Sequence, residues 1–357
     1  MKKGFLVLVI LVSVELLIIT NLALNYLSTS TPQLTGKFIE IWDTKINYQD
    51  LPTHTVSYLR RPESPYNLLF NVLPIPNSEQ LFDGYVIRLN VSLIKINSDG
   101  FRDREFSIEK PNNTFRFVAL GDSITFGQGV NLSYSFPKVL ESLLNSNSNK
   151  DTSKYEILNL GIPGFNTKEE VNFLEYKGLK YKPNSVIITY VCDDIEDSFL
   201  RDSLINATIN DYIAKNNIKS TSNLSKQDLI LIDYFISIRR FDYTKSHAEE
   251  LWINDVVNPF KKLSEISKQN NFSVVVVYFK CNWSYFTDES MRLGNLSKQF
   301  NFYFIDTSDL MRQYGEETNY ENSPLRLSYP DGHLNEFGNK LFAERILRDL
   351  IKFKLVE

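Results

Sequence analysis

A serine, a histidine and several aspartates follow short apolar runs after residue 114 of this 357-residue chain. Ser123 lies in the segment Gly121-Asp122-Ser123, and His333 lies in Pro330-Asp331-Gly332-His333. A serine hydroxyl is a poor nucleophile until a base removes its proton, and a third group must orient an imidazole base. His333 and Asp331 are therefore predicted to be the base and the orienting acid for Ser123. Such a set of groups performs acyl transfer.

Two further polar segments follow apolar runs in the same region. Asn159-Leu160-Gly161-Ile162-Pro163-Gly164 is rich in glycine, and Val191-Cys192-Asp193-Asp194 is acidic. Glycine allows backbone N–H groups to approach the oxyanion of a tetrahedral intermediate closely. If these segments meet Ser123 at one edge of a sheet, they can form the binding site for that oxyanion.

The elements that must position these residues are five short strands. Their apolar runs do not alternate with polar residues, which is typical of parallel strands covered on both faces. The predicted strands are Phe115–Leu120, Glu156–Leu160, Ser185–Tyr190, Ser273–Phe279 and Phe302–Asp306. Helical segments separate them, and the last helix is predicted from Asn335. We expect an α/β fold: a three-layer, doubly wound, flavodoxin-like sheet of about five parallel strands in the order 2-1-3-4-5, with the ligand site at the carboxyl ends of the strands.

An insertion interrupts this pattern at about residues 198–244. Within it, Leu229–Ile236 is strongly apolar. The run fits either a lid over the site or a helix that packs against the core.

The first 27 residues are predicted to form a transmembrane signal-anchor helix, because the apolar run exceeds the about 20 residues that span a bilayer. Glu15 within it costs about 2.5–3.5 kcal/mol, which its apolar neighbours can offset. Lys2 and Lys3 precede the run and no basic residue follows before Lys37, so the positive-inside bias places the rest of the chain outside the cytoplasm. A cleaved signal peptide is the alternative.

Four segments are expected along the chain. They are the anchor at 1–27, a linker at 28–36, a small strand-containing extension at 37–114, and the main domain at 115–357. The formal net charge of −4 argues against a nucleic-acid-binding protein. Cys192 and Cys281 are not in a CxxC pair, so structural zinc is not predicted. They are either two buried thiols or, outside the cytoplasm, a disulfide.

The carboxylates of Asp193–Asp197 suit a divalent metal. We favour the alternative interpretation that Glu196 and Asp197 begin a helix, whose dipole favours negative charge there. We therefore predict neither a metal nor an organic cofactor.

Over residues 115–350 the sequence resembles the SGNH, or GDSL, hydrolases. Gly121-Asp122-Ser123 matches the first motif of that family, which implies that Ser123 is the nucleophile and that its own N–H is one oxyanion donor. Asn159–Gly164 resembles the second motif and implies a second backbone donor at Gly164. The upstream run Asn97–Asp103 resembles a segment found before the serine in membrane-anchored members.

Asp331 and His333 resemble the acid and base of the last motif, but the spacing differs. The usual arrangement is Asp-x-x-His, whereas Pro330 stands three residues before His333. The Asp-x-His spacing resembles the branch that contains polysaccharide O-acetyltransferases and several carbohydrate esterases. The third motif differs as well, because Asp193 stands where an asparagine normally donates to the oxyanion.

The resemblance implies a serine ester hydrolase that acts through an acyl-serine, and the N-terminal apolar run predicts that it is membrane-anchored and extracytoplasmic. Its expected substrates are small acyl esters, first O-acetyl groups on glycans and then lipid esters. One alternative is an O-acetyltransferase with a sugar hydroxyl as acceptor. Another is a catalytically silent binding protein, because an ionised Asp193 would repel the oxyanion. The oligomeric state is not predicted.

Overall fold

The computed structural model describes the chain from 59 to 356 with several gaps. The described residues are 59–60, 73–74, 76–82, 92–147, 154–196, 198–281, 284–314, 323–328 and 331–356. They all lie within the compact unit Val56–Glu357. The predicted anchor at 1–27 and the linker at 28–36 lie outside them. Within the described ranges, no helix has the length and apolar character needed to cross a membrane.

Short antiparallel strands lie in the segment predicted as the extension. They are β1 (Leu59–Arg60), β2 (Leu73–Pro74), β3 (Glu79–Phe82) and β4 (Ser92–Lys95). β1 pairs with β2, and β3 pairs with β4. After β4 the chain turns at Asn97, whose Oδ1 accepts the N–H groups of Asp99 at 3.1 Å and Phe101 at 2.8 Å. This turn leads the chain toward the central sheet.

Five parallel strands form that central sheet. They are β5 (Thr114–Leu120), β6 (Lys154–Asn159), β7 (Ser185–Tyr190), β8 (Ser273–Tyr278) and β9 (Tyr303–Asp306). Their order is β6-β5-β7-β8-β9, and each neighbouring pair is parallel. The predicted α/β class and the strand order 2-1-3-4-5 are confirmed.

The apolar runs lack alternation because both faces of the sheet are covered. In β5, Val118 and Leu120 belong to one apolar cluster, whereas Phe117 and Ala119 belong to the other. Every residue of β7 is buried. The sheet is therefore the middle of three layers, and its two faces carry separate cores.

Helices form the outer layers and the insertion. They are α1 (Ser123–Phe126), α2 (Phe136–Asn147), α3 (Thr167–Phe173), α4 (Ser198–Lys215), α5 (Lys226–Ser246), α6 (Ala248–Trp252), α7 (Asn258–Asn270), α8 (Glu289–Gln299), α9 (Ser308–Gln313) and α10 (Glu336–Lys352). Short 3₁₀ or π turns lie at Leu132–Tyr134, Leu174–Gly178, Leu179–Tyr181, Thr221–Asn223 and Ile253–Val257. The predicted last helix is confirmed, and the Asn335 side chain caps it by accepting the Gly338 N–H at 2.9 Å.

The insertion consists of the paired helices α4 and α5. Of the apolar run in α5, Ile232 is buried, but Leu231, Tyr234 and Phe235 are 41%, 52% and 42% exposed. Packing against the core, one of the two predicted roles of this helix, therefore explains only part of its apolar run. Near its end, α5 reaches the main domain, where the Phe241 ring stacks on Tyr285 at 5.5 Å between centroids.

A disulfide joins Cys192, just after β7, to Cys281, just after β8. The two strands are neighbours in the sheet, and the Cα atoms lie 6.0 Å apart. The structure therefore contains the disulfide, which is one of the two alternatives that the sequence left open; the other was a pair of buried thiols. The bridge spans 89 positions of sequence and encloses the insertion.

Replacing both cysteines by serine should lower the free energy of unfolding by about 2–5 kcal/mol, because a cross-link over so long a loop restricts the unfolded chain. Thermal unfolding of the wild type with and without reductant, beside the Cys192→Ser/Cys281→Ser variant, measures the effect. Reductant should move the wild type toward the variant and leave the variant unchanged. Equal melting temperatures for the oxidised wild type and the variant would contradict the prediction.

Candidate active site

Ser123 is the first residue of α1, directly after the central strand β5. The Asp122 side chain caps this short helix by accepting the N–H of Ile124 at 2.8 Å. Gly121 has φ +155°, and a Cβ there would collide with the Thr125 side chain. Between Arg116 and Val130, Ser123 is the single residue that is not buried. The fold therefore presents one accessible hydroxyl at the carboxyl end of the central strand.

His333 reaches this hydroxyl from a hairpin that the sequence did not predict. β11 (Asp331–Leu334) pairs antiparallel with β10 (Arg326–Ser328). The Nε2 atom of His333 lies 2.8 Å from Ser123 Oγ, although 210 positions separate the two residues. The hairpin is held by Asn335 Nδ2, which donates to the carbonyls of Pro324 and Arg326 at 2.8 and 2.7 Å.

Ser123 thus has a base within hydrogen-bond distance. Its Oγ lies at 3.5 Å from Asp122 Oδ2, which is the longer of the two contacts. For Nε2 of His333 to accept the serine proton, the imidazole must carry its own proton on Nδ1. Asp331 begins β11, but its side chain lies outside the described residues, so its role as the orienting acid stays a prediction.

The glycine-rich second segment packs against the turn that carries Ser123. The N–H of Ile162 donates to the carbonyl of Gly121 at 2.9 Å. A Cβ at Gly161 would collide with the backbone nitrogen of Phe126, so only glycine permits this approach. Gly164 lies in the left-handed region with φ +80°. The predicted donor function of its N–H stays a prediction.

Asp193 opens a tight turn beyond β7. The N–H of Asp194 donates to the Val191 carbonyl at 3.0 Å, and that of Glu196 donates to the Asp193 carbonyl at 2.9 Å. Asp194 is buried and accepts a hydrogen bond from Thr167 Oγ1 at 2.8 Å, whereas Asp193 keeps partial exposure. Within the described part of the chain, no three His, Cys, Asp or Glu side chains are arranged to hold a metal ion.

Buried carboxyl groups surround the base of the site. Burial, and next the charge of Asp193, raise the pKa of Asp122 to about 7. Burial and the neighbouring acids raise the pKa of Glu170 and of Asp194 well above their usual values. Neither carboxyl oxygen of Glu170 has a hydrogen-bond partner among the described residues. The site therefore favours protonated, neutral carboxyl groups behind Ser123.

Glu170 is a residue that sequence reasoning missed. The run Lys168-Glu169-Glu170 is typical of an exposed, acidic first turn of a helix, and α3 does begin there. Glu169 completes a capping box with Asn166, and both glutamates are buried. No local signal distinguishes such buried acids from solvated ones.

Arg102, in the run that resembles the upstream family segment, supports the nucleophile turn. Its guanidinium is buried and donates to the carbonyls of Phe126 at 3.1 Å, Gly127 at 2.5 Å and Val130 at 2.6 Å. The next residue, Asp103, accepts the backbone N–H of Asn159 at 2.9 Å. The segment therefore ties the first and second polar turns to each other.

Glu170→Gln should stabilise the protein increasingly as the pH rises. Because burial raises the folded-state pKa of Glu170, its protonated form contributes stability that is complete below about pH 4.5 and is lost as the pH rises toward the folded pKa. The amide has no proton to lose, so the stability of the variant relative to the wild type should grow by up to about 1.4 kcal/mol per pH unit in that window.

Urea unfolding of both proteins at pH 5 and pH 7 measures this difference. Glu265→Gln, an exposed position on α7, is the matched control for the same chemical change. A stability difference for Glu170→Gln that is the same at both pH values would contradict the prediction.

The family described as GDSL-like lipase/acylhydrolase matches residues 117–346. No curated protein matches the chain. Solved structures similar to it include an acetylxylan esterase mutant from Geobacillus stearothermophilus, with 13% identity, TM-score 0.43 and coverage of 68% of this chain and 96% of that one. A lipase/acylhydrolase from Enterococcus faecalis has 13% identity, TM-score 0.38 and coverage of 66% and 95%. A psychrotrophic esterase from Pseudoalteromonas has 14% identity, TM-score 0.41 and coverage of 67% of this chain and 98% of that one.

These structural similarities are too weak to indicate a substrate. The family match is different in kind, because it spans more than half of the chain and includes both Ser123 and His333. The protein belongs to the GDSL-like lipase/acylhydrolase family, and it is a hydrolase that acts on ester bonds.

Proposed function

We propose that the protein hydrolyses small acyl esters through a covalent acyl-serine at Ser123. The observation that carries the proposal is the 2.8 Å contact between His333 Nε2 and the accessible Ser123 Oγ. A nucleophile within hydrogen-bond reach of a base is the arrangement that this chemistry requires.

The reaction proceeds in two halves. Ser123 Oγ forms a bond to the ester carbonyl carbon while its proton passes to His333 Nε2. The tetrahedral intermediate then collapses, the bond to the leaving alcohol breaks, and His333 returns the proton to that alcohol. Water then attacks the carbonyl carbon of the acyl-serine while its proton passes to His333 Nε2. The bond from that carbon to Ser123 Oγ breaks, His333 returns the proton to Oγ, and the acid leaves. Asp331 is proposed to hold the proton on Nδ1 of the imidazole.

The oxyanion is proposed to bind the N–H groups of Ser123 and Gly164. Three features of the turns support this assignment: the start of α1 at Ser123, the positive φ of Gly164 and the close packing of the second turn on the first. A missing third donor would lower the rate by about 10²–10³-fold. Asp193, in the place of that donor, would keep the rate below that of a full oxyanion site.

The proposed substrates are O-acetyl groups on glycans, with lipid esters second. The Asp331-x-His333 spacing supports this choice, because it resembles the carbohydrate-active branch of the superfamily. An O-acetyltransferase would use the same acyl-serine with a sugar hydroxyl in place of water.

Ser123→Ala and His333→Ala should each lower kcat for p-nitrophenyl acetate by about 10³-fold or more, because the two groups act as one unit. The assay uses the purified full-length chain in detergent. Ser142→Ala, at an exposed position of α2, and His247→Ala, between α5 and α6, are matched controls and should retain wild-type turnover. Wild-type turnover no higher than that of the two site variants would contradict hydrolysis of this small ester through Ser123 and His333.

We further propose that residues 1–27 anchor the protein in a membrane, with residues 115–357 outside the cytoplasm. The apolar run, the lysines before it and the Cys192–Cys281 disulfide support this location, since disulfides persist in oxidising compartments.

The full-length chain should sediment with membranes and resist extraction by carbonate, and a chain without residues 1–27 should be soluble. Cell fractionation followed by immunoblotting measures both. A mature chain that begins after residue 27 and is released from cells would identify a cleaved signal peptide instead.

A further inference from the structure

The insertion meets the candidate site at Glu196. Arg240, near the end of α5, donates to Glu196 Oε2 through Nε at 3.1 Å and also through Nη2. The hydroxyl of Tyr285, which precedes α8, donates to the other carboxylate oxygen at 2.7 Å. Both oxygens of this buried carboxylate therefore have donors, and the donors come from two different elements.

Glu196 closes the turn that Asp193 opens. Its N–H donates to the Asp193 carbonyl at 2.9 Å, and its own carbonyl accepts Asn166 Nδ2 at 3.0 Å. The Arg240 side chain is only 28% exposed where it contacts this turn. The insertion thus places a mostly buried cation beside the turn that begins at the residue in the oxyanion-donor position.

The charged groups that interact with Asp193 come from every side of the site. The carboxyl groups whose pKa is raised by burial and also by the charge of Asp193 lie in the turn before α1, on α3, in its own turn and on α8, and these groups are Asp122, Glu170, Asp194 and Glu289. Arg240, on α5, interacts with Asp193 as well. Although burial lowers the pKa of Arg240, the carboxylates of Glu196 and then Asp193 raise that pKa above its usual value. Among these described groups, Arg240 alone is a cation.

We propose that Arg240 is the counter-charge of Asp193: the insertion supplies a guanidinium that offsets the carboxylate at the oxyanion site and so acts as a positioning residue for the reaction of Ser123. This inference rests on the proposed function, because it concerns the charge that the oxyanion meets.

The physical reason is the repulsion between two negative charges, the Asp193 carboxylate and the oxyanion. An ionised Asp193 raises the energy of the oxyanion, and an adjacent positive charge reduces that repulsion. Arg240 pairs with Glu196, and the charge of Asp193 also raises the pKa of Arg240, so the guanidinium interacts with both carboxylates. One guanidinium therefore serves two carboxylates of the same turn.

A double-mutant cycle on kcat tests the catalytic part of the proposal. Arg240→Gln should lower kcat for p-nitrophenyl acetate by about ten-fold with little change in KM. In the Asp193→Asn background, where no carboxylate needs a counter-charge, the same change should lower kcat by less than about three-fold. Arg240→Lys should retain most of the activity. Arg239→Gln, at the neighbouring position that pairs with Asp211, is the matched control and should behave as the wild type. Equal effects in both backgrounds would overturn the proposal.

The Glu196→Gln variant shows whether Arg240 acts as a counter-charge or only holds the turn in place. The amide oxygen can still accept from Arg240, and the amide NH2 can donate to the Tyr285 oxygen, but the carboxylate that competes with Asp193 for the guanidinium is removed. We expect kcat to equal or exceed that of the wild type. A fall in kcat as large as that of Arg240→Gln would mean that the ion pair only holds the turn in place.

Thermal unfolding of the wild type, the Arg240→Gln and Asp193→Asn variants and the double variant measures the pairing without any turnover. Arg240→Gln should lower the melting temperature by about 2 °C or more beyond its effect in the Asp193→Asn background. Additive changes would overturn the pairing whatever the activity. If the coupling is present but no turnover depends on Ser123, the proposed function fails and the pairing stands.

Discussion

The crowding of buried carboxyl groups around Ser123 is the constraint on which the rest of this site depends. Asp122 must lie there because its side chain caps the helix that starts at Ser123. Each further acid in the same low-dielectric region must then be protonated or paired, since an unpaired buried charge is costly. Glu170 and Asp194 have raised pKa values, whereas Glu196 has Arg240 and Tyr285 as donors. The site therefore contains both acids that favour the protonated form and a carboxylate that is paired with donors.

The helix that bears the nucleophile cannot form alone. α1 has four residues, Ser123–Phe126, and a helix that short leaves carbonyls without partners inside it. Arg102, in a segment that lies before the first strand of the sheet, donates to the carbonyl of Phe126, the last residue of α1, and to the carbonyls of Gly127 and Val130 after it. Phe101 beside it packs edge-on against Phe173, with centroids 6.1 Å apart. The upstream segment is therefore part of the structure that holds Ser123, although it is far from the serine in sequence terms.

The sheet was predictable because strands buried on both faces need continuous apolar runs, such as the four valines of β8. Ser123 and His333 were identifiable for a different reason, since each lies in a short motif. The β10–β11 hairpin was not predictable, because strands this short show no periodicity. Arg240 was missed since its role depends on a contact across 44 positions of chain. The disulfide stayed undecided for the same reason: the sequence does not contain the distance between Cys192 and Cys281.

The bridge between those cysteines encloses more than two strand ends. The whole insertion, from α4 through α5, lies between Cys192 and Cys281, so this part of the chain is a covalently closed ring. A protease that cuts the segment between the two helices divides the polypeptide into two pieces, yet the pieces remain one molecule. Both sides of the cut stay joined beside β7 and β8, and only a reductant separates them. A protease can therefore cut the insertion without separating the part of the chain that contains Ser123 from the part that contains His333.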